Sequence, residues 1–161
     1  MKTAFIGLMA LAMITGCSKA DKTPEQNKNY AMLIQGNWVI TGETMTIYDA
    51  SNKVLQTAPV EEAVGIKWVL KDGMITSDTG DDDQGIESGT YVLNTKVDPP
   101  TIKVTSSEVD KEEGPETLLL NITTLDNAHM VLEQSQDISL PTGTQLQDAD
   151  HATMKIEFQR D

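Results

Sequence analysis

The chain has 161 residues, enough for one domain with a real core, and its 39% apolar and 23% charged content is an ordinary globular balance. A formal net charge of -13 argues against nucleic-acid binding, which needs clustered Lys and Arg, and against adsorption of the folded surface to anionic lipid headgroups. The single cysteine, Cys17, excludes an intrachain disulfide, a redox pair and a cysteine-based zinc cluster.

The chain opens with an address. Lys2 provides a positive start, and residues 4–14 form an apolar run broken only by Gly7, too short to span a bilayer but suited to a signal-peptide core. The run ends in Ile14-Thr15-Gly16-Cys17, which resembles the bacterial lipobox: an aliphatic residue, two small residues and a cysteine. That resemblance implies cleavage before Cys17 and a diacylglycerol thioether on its sulfur, with several acyl chains giving a stable anchor at about 0.8 kcal/mol per buried methylene. Ser18 follows where enterobacterial inner-membrane lipoproteins carry aspartate, so the implied location is the outer membrane, facing the periplasm.

Residues 1–16 are thus expected to be a signal peptide, 17–30 a lipidated cysteine and polar tether, and 31–161 one barrel domain. Within the tether Thr23-Pro24-Glu25-Gln26 has helix-start chemistry, with Thr23 as N-cap, Pro24 first and Gln26 at the capping-box position. Tyr30, Leu33 and Ile34 follow at helical spacing, which predicts a short helix from 24 to about 34.

From Gly36 the period changes to two. Residues 36–47 predict a long strand bent at Gly42, with Met45 and Ile47 continuing the apolar alternation, 48–53 a turn, and the segment to Ala63 an irregular or weakly paired connection. Ile66, Trp68 and Leu70 alternate with Lys67 and Lys71, a half-buried strand. Asp72-Gly73 is a hairpin turn signal, with 74–77 returning. Further strands are predicted over 86–94, 101–105, 116–125, 130–134 and 153–159. Turns fall at 97–100 and at Asp126-Asn127, and residues 106–115 read as an acidic connection. About eight strands without connecting helices predict an all-β, antiparallel up-and-down barrel with a short N-terminal helix. Its interior would hold side chains or one small ligand.

Gly36-Asn37-Trp38 on the first strand is similar to the G-x-W signature of lipocalins. That resemblance implies a tryptophan plugging one end of the barrel, with a basic residue beyond the last strand packed on it. Arg160 is the matching residue, so Gly36, Trp38 and Arg160 are the expected closure. The chain also resembles bacterial lipocalin-like domains of lipoproteins. Leu33-Ile34-Gln35-Gly36-Asn37-Trp38, Gly89-Thr90-Tyr91-Val92-Leu93 and Pro99-Pro100-Thr101-Ile102-Lys103-Val104-Thr105 carry this second resemblance. It implies a fold and an envelope location, and no reaction.

Catalysis is not expected. No serine lies in a G-x-S-x-G elbow, and no pair of carboxylates is singled out. His129 and His151 are too few for a zinc site, and no cofactor or metal is expected. The acidic stretch Asp78, Asp81, Asp82, Asp83 and Glu87 offers hard oxygen ligands for calcium, but its spacing does not fit an EF-hand loop, and a solvated turn is the expected reading. The inward residues Ile40, Trp68, Leu70, Ile86, Ile102, Leu120, Met130, Leu132, Met154 and Phe158, with Trp38 at the closure, either line a ligand cavity or fill the barrel. Two functions follow as expectations. One is a non-catalytic barrel binding a small apolar ligand. The other is an interaction or inhibitor module that meets a basic protein partner through loops and acidic surface.

Overall fold

A computed structural model describes residues 24–78, 88–110, 114–138 and 146–161. One helix, α1 (Pro24–Leu33), precedes nine strands. They are β1 (Gly36–Asp49), β2 (Val54–Pro59), β3 (Lys67–Lys71), β4 (Met74–Asp78), β5 (Ser88–Asn94), β6 (Thr101–Asp110), β7 (Gly114–Leu125), β8 (His129–Asp137) and β9 (Ala149–Arg160).

Every strand pairing is antiparallel, in the order β2-β1-β3-β4-β5-β6-β7-β8-β9, and an additional β1–β9 pairing closes the sheet on itself. The result is an up-and-down, lipocalin-like barrel. Closure pairs β9 back onto β1, so among the described residues β2, which pairs only with β1, is the strand that keeps an open edge. β1 meets β9 along nearly its whole length, from Trp38↔Arg160 to Asp49↔Ala149. On its other side β1 pairs first with β3, through residues 36–39, and then with β2, through 44–48. β2 and β3 therefore occupy one barrel position, interrupted by the excursion 60–66. Counted this way the barrel has eight staves.

The register distinguishes two ends. The starts of β1, β4, β6 and β8 and the ends of β3, β5, β7 and β9 gather at the lower end, together with α1 and the turns at 72–73, 95–100 and 126–128. The ends of β1, β4, β6 and β8 and the β1–β2 turn mark the upper end. Residues 1–23, 79–87, 111–113 and 139–145 lie outside the described residues, and with them the predicted signal peptide, Cys17, the Thr23 cap, Ile86 and Asp81 to Asp83 with Glu87.

Tight turns at both ends are held by aspartates. Asp126 Oδ1 accepts N–H bonds from Ala128 and His129, each 2.7 Å. Asp49 Oδ1 accepts from Ser51 and Lys53 N–H groups and the Ser51 hydroxyl. These donors hold both carboxyls below the usual carboxylate range: the Ser51 hydroxyl foremost for Asp49, the Ala128 N–H for Asp126.

Several boundaries differ from the sequence reading. The connection expected before Ala63 contains strand β2. The acidic connection expected over 106–115 is mostly strand, because β6 runs to Asp110 and β7 starts at Gly114. β8 and β9 likewise extend to Asp137 and back to Ala149. All four corrections lie toward the upper end, where apolar alternation fades. The helix expected from 24 to about 34 is α1, so residues 24–30, counted with the tether, are helical.

The core is one continuous cluster. Ile34, Trp38, Ile40, Trp68, Leu70, Ile75, Tyr91, Ile102, Val104, Leu120, Ile122, Met130, Leu132, Ile156 and Phe158 are all buried in it. Gly89 illustrates how tightly the wall is drawn: a Cβ there would run into the Thr105 carbonyl on β6. Only glycine permits that approach, which gives the Gly89-Thr90-Tyr91 stretch its physical reason.

Candidate functional site: the two ends of the barrel lumen

The lower end is sealed by a small network built around a helix terminus. A helix leaves its last carbonyls without intrahelical donors, and burying them unsatisfied costs several kcal/mol in all. Here the sequence supplies side-chain donors. The Trp38 indole N–H donates to the Ile34 carbonyl at 2.8 Å. Arg160 Nη1 donates to the Gln35 carbonyl at 2.8 Å, and Nη2 donates to the Leu33 carbonyl. The guanidinium carbon lies 4.3 Å from the Trp38 ring centroid, a cation–π stack. A cation at a helix C-terminus also meets the negative end of the helix dipole.

Gly36 completes the seal. Its φ of +136° lies where side chains are strained, and a Cβ there would strike Arg160 Nη1. Trp38 itself is 0% exposed. Gly36, Trp38 and Arg160 are thus brought together, with Trp38 and Arg160 directly opposite each other across β1 and β9. Trp68 adds to the plug, tilted against Phe158 with centroids 5.0 Å apart.

Of the candidate lining residues, Ile40, Trp68, Leu70, Ile102, Leu120, Met130, Leu132 and Phe158 belong to the core cluster, and Met154 packs partly buried against it. Ile86 lies outside the described residues. The inner face of the lower half is therefore apolar and buried apart from the Arg160 guanidinium of the seal.

The upper half differs. Residues directly paired across neighbouring strands project to the same face. A register shift between Ile40 and Gly42 puts Glu43 opposite the core residue Ile156, so Glu43 points inward; Met45 follows opposite Met154, and Ile47 opposite Ala152. On β8, Gln134 pairs with Met154 and Gln136 with Ala152, so both glutamines face in as well. Leu118, opposite Val104, belongs to the same surface. Glu43, Met45, Ile47, Leu118, Gln134 and Met154 are half-buried, and Gln136 is exposed. Burial, with Glu62 nearby on the 60–66 excursion, pushes the Glu43 carboxyl above its ordinary value.

Met45 and Ile47 continue the apolar alternation of the first strand, whereas the inward direction of Glu43 and the two glutamines is not legible from periodicity. The signal for Glu43 was Gly42: a glycine inside a strand can mark a bulge, which re-aims every residue after it.

His151 stacks on Tyr48 with ring planes 10° apart, and its Nδ1 lies 3.1 Å from Asp150 Oδ2. His129 sits beside Asp126 at the other end of the barrel. Among the described residues no three or more His, Cys, Asp or Glu side chains are grouped to hold a metal ion. Comparison with family models, with curated proteins and with solved structures found no match for this chain.

Proposed function

We propose that this protein is an envelope lipoprotein, anchored through Cys17 in the outer membrane. Its lipocalin-like barrel takes up a small apolar ligand from the upper end and performs no reaction. The observation that carries the reading is the change of character along the inner face. Below, indole, phenyl and aliphatic side chains are packed out of contact with water. Above, Met45, Ile47, Leu118 and Met154 leave apolar surface partly exposed inside a ring bearing Glu43, Gln134 and Gln136. A concave, mostly apolar surface with a few polar groups at its rim is the usual form of a small-ligand site. Methionine suits it, because its flexible thioether adapts to irregular shapes. The Gly36, Trp38 and Arg160 closure supports the lipocalin resemblance, and the end opposite the seal is where such a barrel would admit a ligand.

Mass spectrometry of organic extracts from the purified full chain tests this, together with titration by a neutral, environment-sensitive naphthylamine dye. Copurifying lipid and saturable dye binding that Met154→Arg abolishes are expected. Absence of both would overturn the ligand reading. The anchor has a separate test: Cys17→Ala should move the protein from the membrane to the soluble periplasmic fraction, and unchanged fractionation would refute it.

A second reading rests on charge placement. Glu61, Glu62, Asp78, Glu108, Asp137, Asp148 and Asp150 are all exposed or flank the upper end. Such a field would speed encounter with a basic partner and fade with salt. Salt-sensitive capture of a basic periplasmic protein, lost on neutralising Asp148 and Asp150, would favour it over the ligand reading.

A further inference from the structure

The net charge of -13 is an average, and one face of the barrel departs from it. The outward residues of β3 to β7 are read from the register. Val69 stands opposite Thr76, Lys71 opposite Met74, and Met74 opposite Thr90. Val92 stands opposite Lys103, and Lys103 opposite Leu119. None of these positions is acidic. The carboxylates around these positions are Asp72 and Asp98 in the lower turns, Asp78 opposite Lys67 above, and Glu108 and Glu116 on β6 and β7 toward the upper end.

The apolar members are open to solvent: Val92 is 64% exposed, Leu119 57% and Met74 53%. Met74 and Val92 are diagonal neighbours, a spacing of roughly 7–8 Å. Lys71 and Lys103 are exposed, and neither makes an ion pair or hydrogen bond among the described residues. The opposite wall has another character, with Glu133, Asp137 and Glu157 among the outward residues of β8 and β9.

Free lysines interleaved with exposed aliphatic side chains suit a surface where anionic headgroups meet acyl chains. Lysine stems lie along the apolar layer while their ammonium groups reach phosphate. The position along the barrel agrees. Lys71, Met74 and Val92 lie toward the lower end, where α1 enters the seal. Cys17 is seven residues before Pro24, a reach of at most about 25 Å. A tether that short holds the lower end close to the bilayer carrying the acyl chains.

We propose that the lower outer face of β3 to β7, centred on Lys71, Met74, Val92 and Lys103, rests on the anionic lipid surface to which the chain is anchored. The barrel then lies with its β8–β9 wall and acidic upper end turned to the aqueous side. This rests on the lipid-anchor reading and adds an orientation to it. An attraction of about 1 kcal/mol per lysine near an anionic surface corresponds to roughly fivefold in occupancy for each.

The test uses the lipidated full chain in vesicles of phosphatidylethanolamine with phosphatidylglycerol. A fluorophore is attached in turn through Val92→Cys and through Gln159→Cys, the latter outward on β9 across the barrel. Position 92 should be several-fold less accessible to an aqueous quencher than position 159, and should be quenched by headgroup-labelled lipid. Lys71→Glu with Lys103→Glu should abolish the difference while the protein stays anchored. Equal aqueous quenching at both positions would overturn the proposal. So would protection of position 92 that persists in detergent without lipid, which would mark the face as a contact between copies. Failure of the anchor reading is read separately, by recovery of the unlabelled protein in the vesicle-free fraction.

Discussion

The two ends of this barrel are made of the same strands and obey different rules. At the lower end large apolar side chains fill most inward positions around the Gly36 and Arg160 seal, and the carbonyls ending α1 are met by Trp38 and Arg160. At the upper end the inward positions mix Glu43, Gln134 and Gln136 with Met45, Ile47, Leu118 and Met154, none of them fully buried, while Ser106 and Ala152 are buried. The strands continue because backbone pairing with a neighbour is enough to propagate a closed sheet. What changes is the role left to the side chains. Below they stabilise the fold; above they are released from that duty and free to meet something else.

Substitutions that treat the ends alike should have unlike effects. The largest is expected for Trp38→Ala, which removes a fully buried indole and leaves the Ile34 carbonyl unmet. A loss of about 3–5 kcal/mol in urea unfolding is the expectation for such a site. Arg160→Ala should follow at about 1–3 kcal/mol, since it strips donors from the Leu33 and Gln35 carbonyls. Met45→Gln at the upper end should cost under about 1 kcal/mol and yet weaken dye binding. If Met45→Gln destabilised as much as Trp38→Ala, the distinction between the ends would fail.

The smallest effect concerns pH. The Glu43 carboxyl is raised above its unfolded value, so the folded state holds its proton more tightly and loses stability as pH rises through the folded pKa. Glu43→Gln should therefore raise the melting temperature slightly at neutral pH, with the gain vanishing below about pH 4. Asp49 and Asp126 run the other way. Their carboxyls are lowered, so their contribution is present above the unfolded aspartate pKa and is lost as pH falls through the folded value. Melting curves of Asp126→Asn should match those of the parent below about pH 3 and lie under them at neutral pH.

The legibility of the sequence follows the same division. The lower half could be read because burial on one face enforces alternation: Ile66, Trp68 and Leu70 against Lys67 and Lys71, or Met154, Ile156 and Phe158. Turn chemistry at Asp72-Gly73 and Asp126-Asn127 placed the hairpins correctly. Trp38 and Arg160 could be paired through a signature, although the reason for the pairing, a buried helix end in need of donors, appears only in the fold. Toward the upper end Ser107 and Glu108, or Gln134 to Asp137, meet water and Ser106 is buried but polar, so nothing in their hydrophobicity marks them as strand. The β2 segment reads as no more than irregular or weakly paired for that reason. The inward direction of Glu43 depends on a one-residue shift near Thr41, which no periodicity displays.

The seam between β1 and β9 has a kinetic consequence. Trp38 and Arg160 are neighbours in space and 122 residues apart in sequence. Contacts of that separation carry a large loop-closure entropy and are expected to form late. Until then β1 offers an unpaired edge holding an exposed indole. Since Trp38 is buried only when the seam closes, its fluorescence is a clock for the last step of assembly. It should lag behind strand formation followed by circular dichroism.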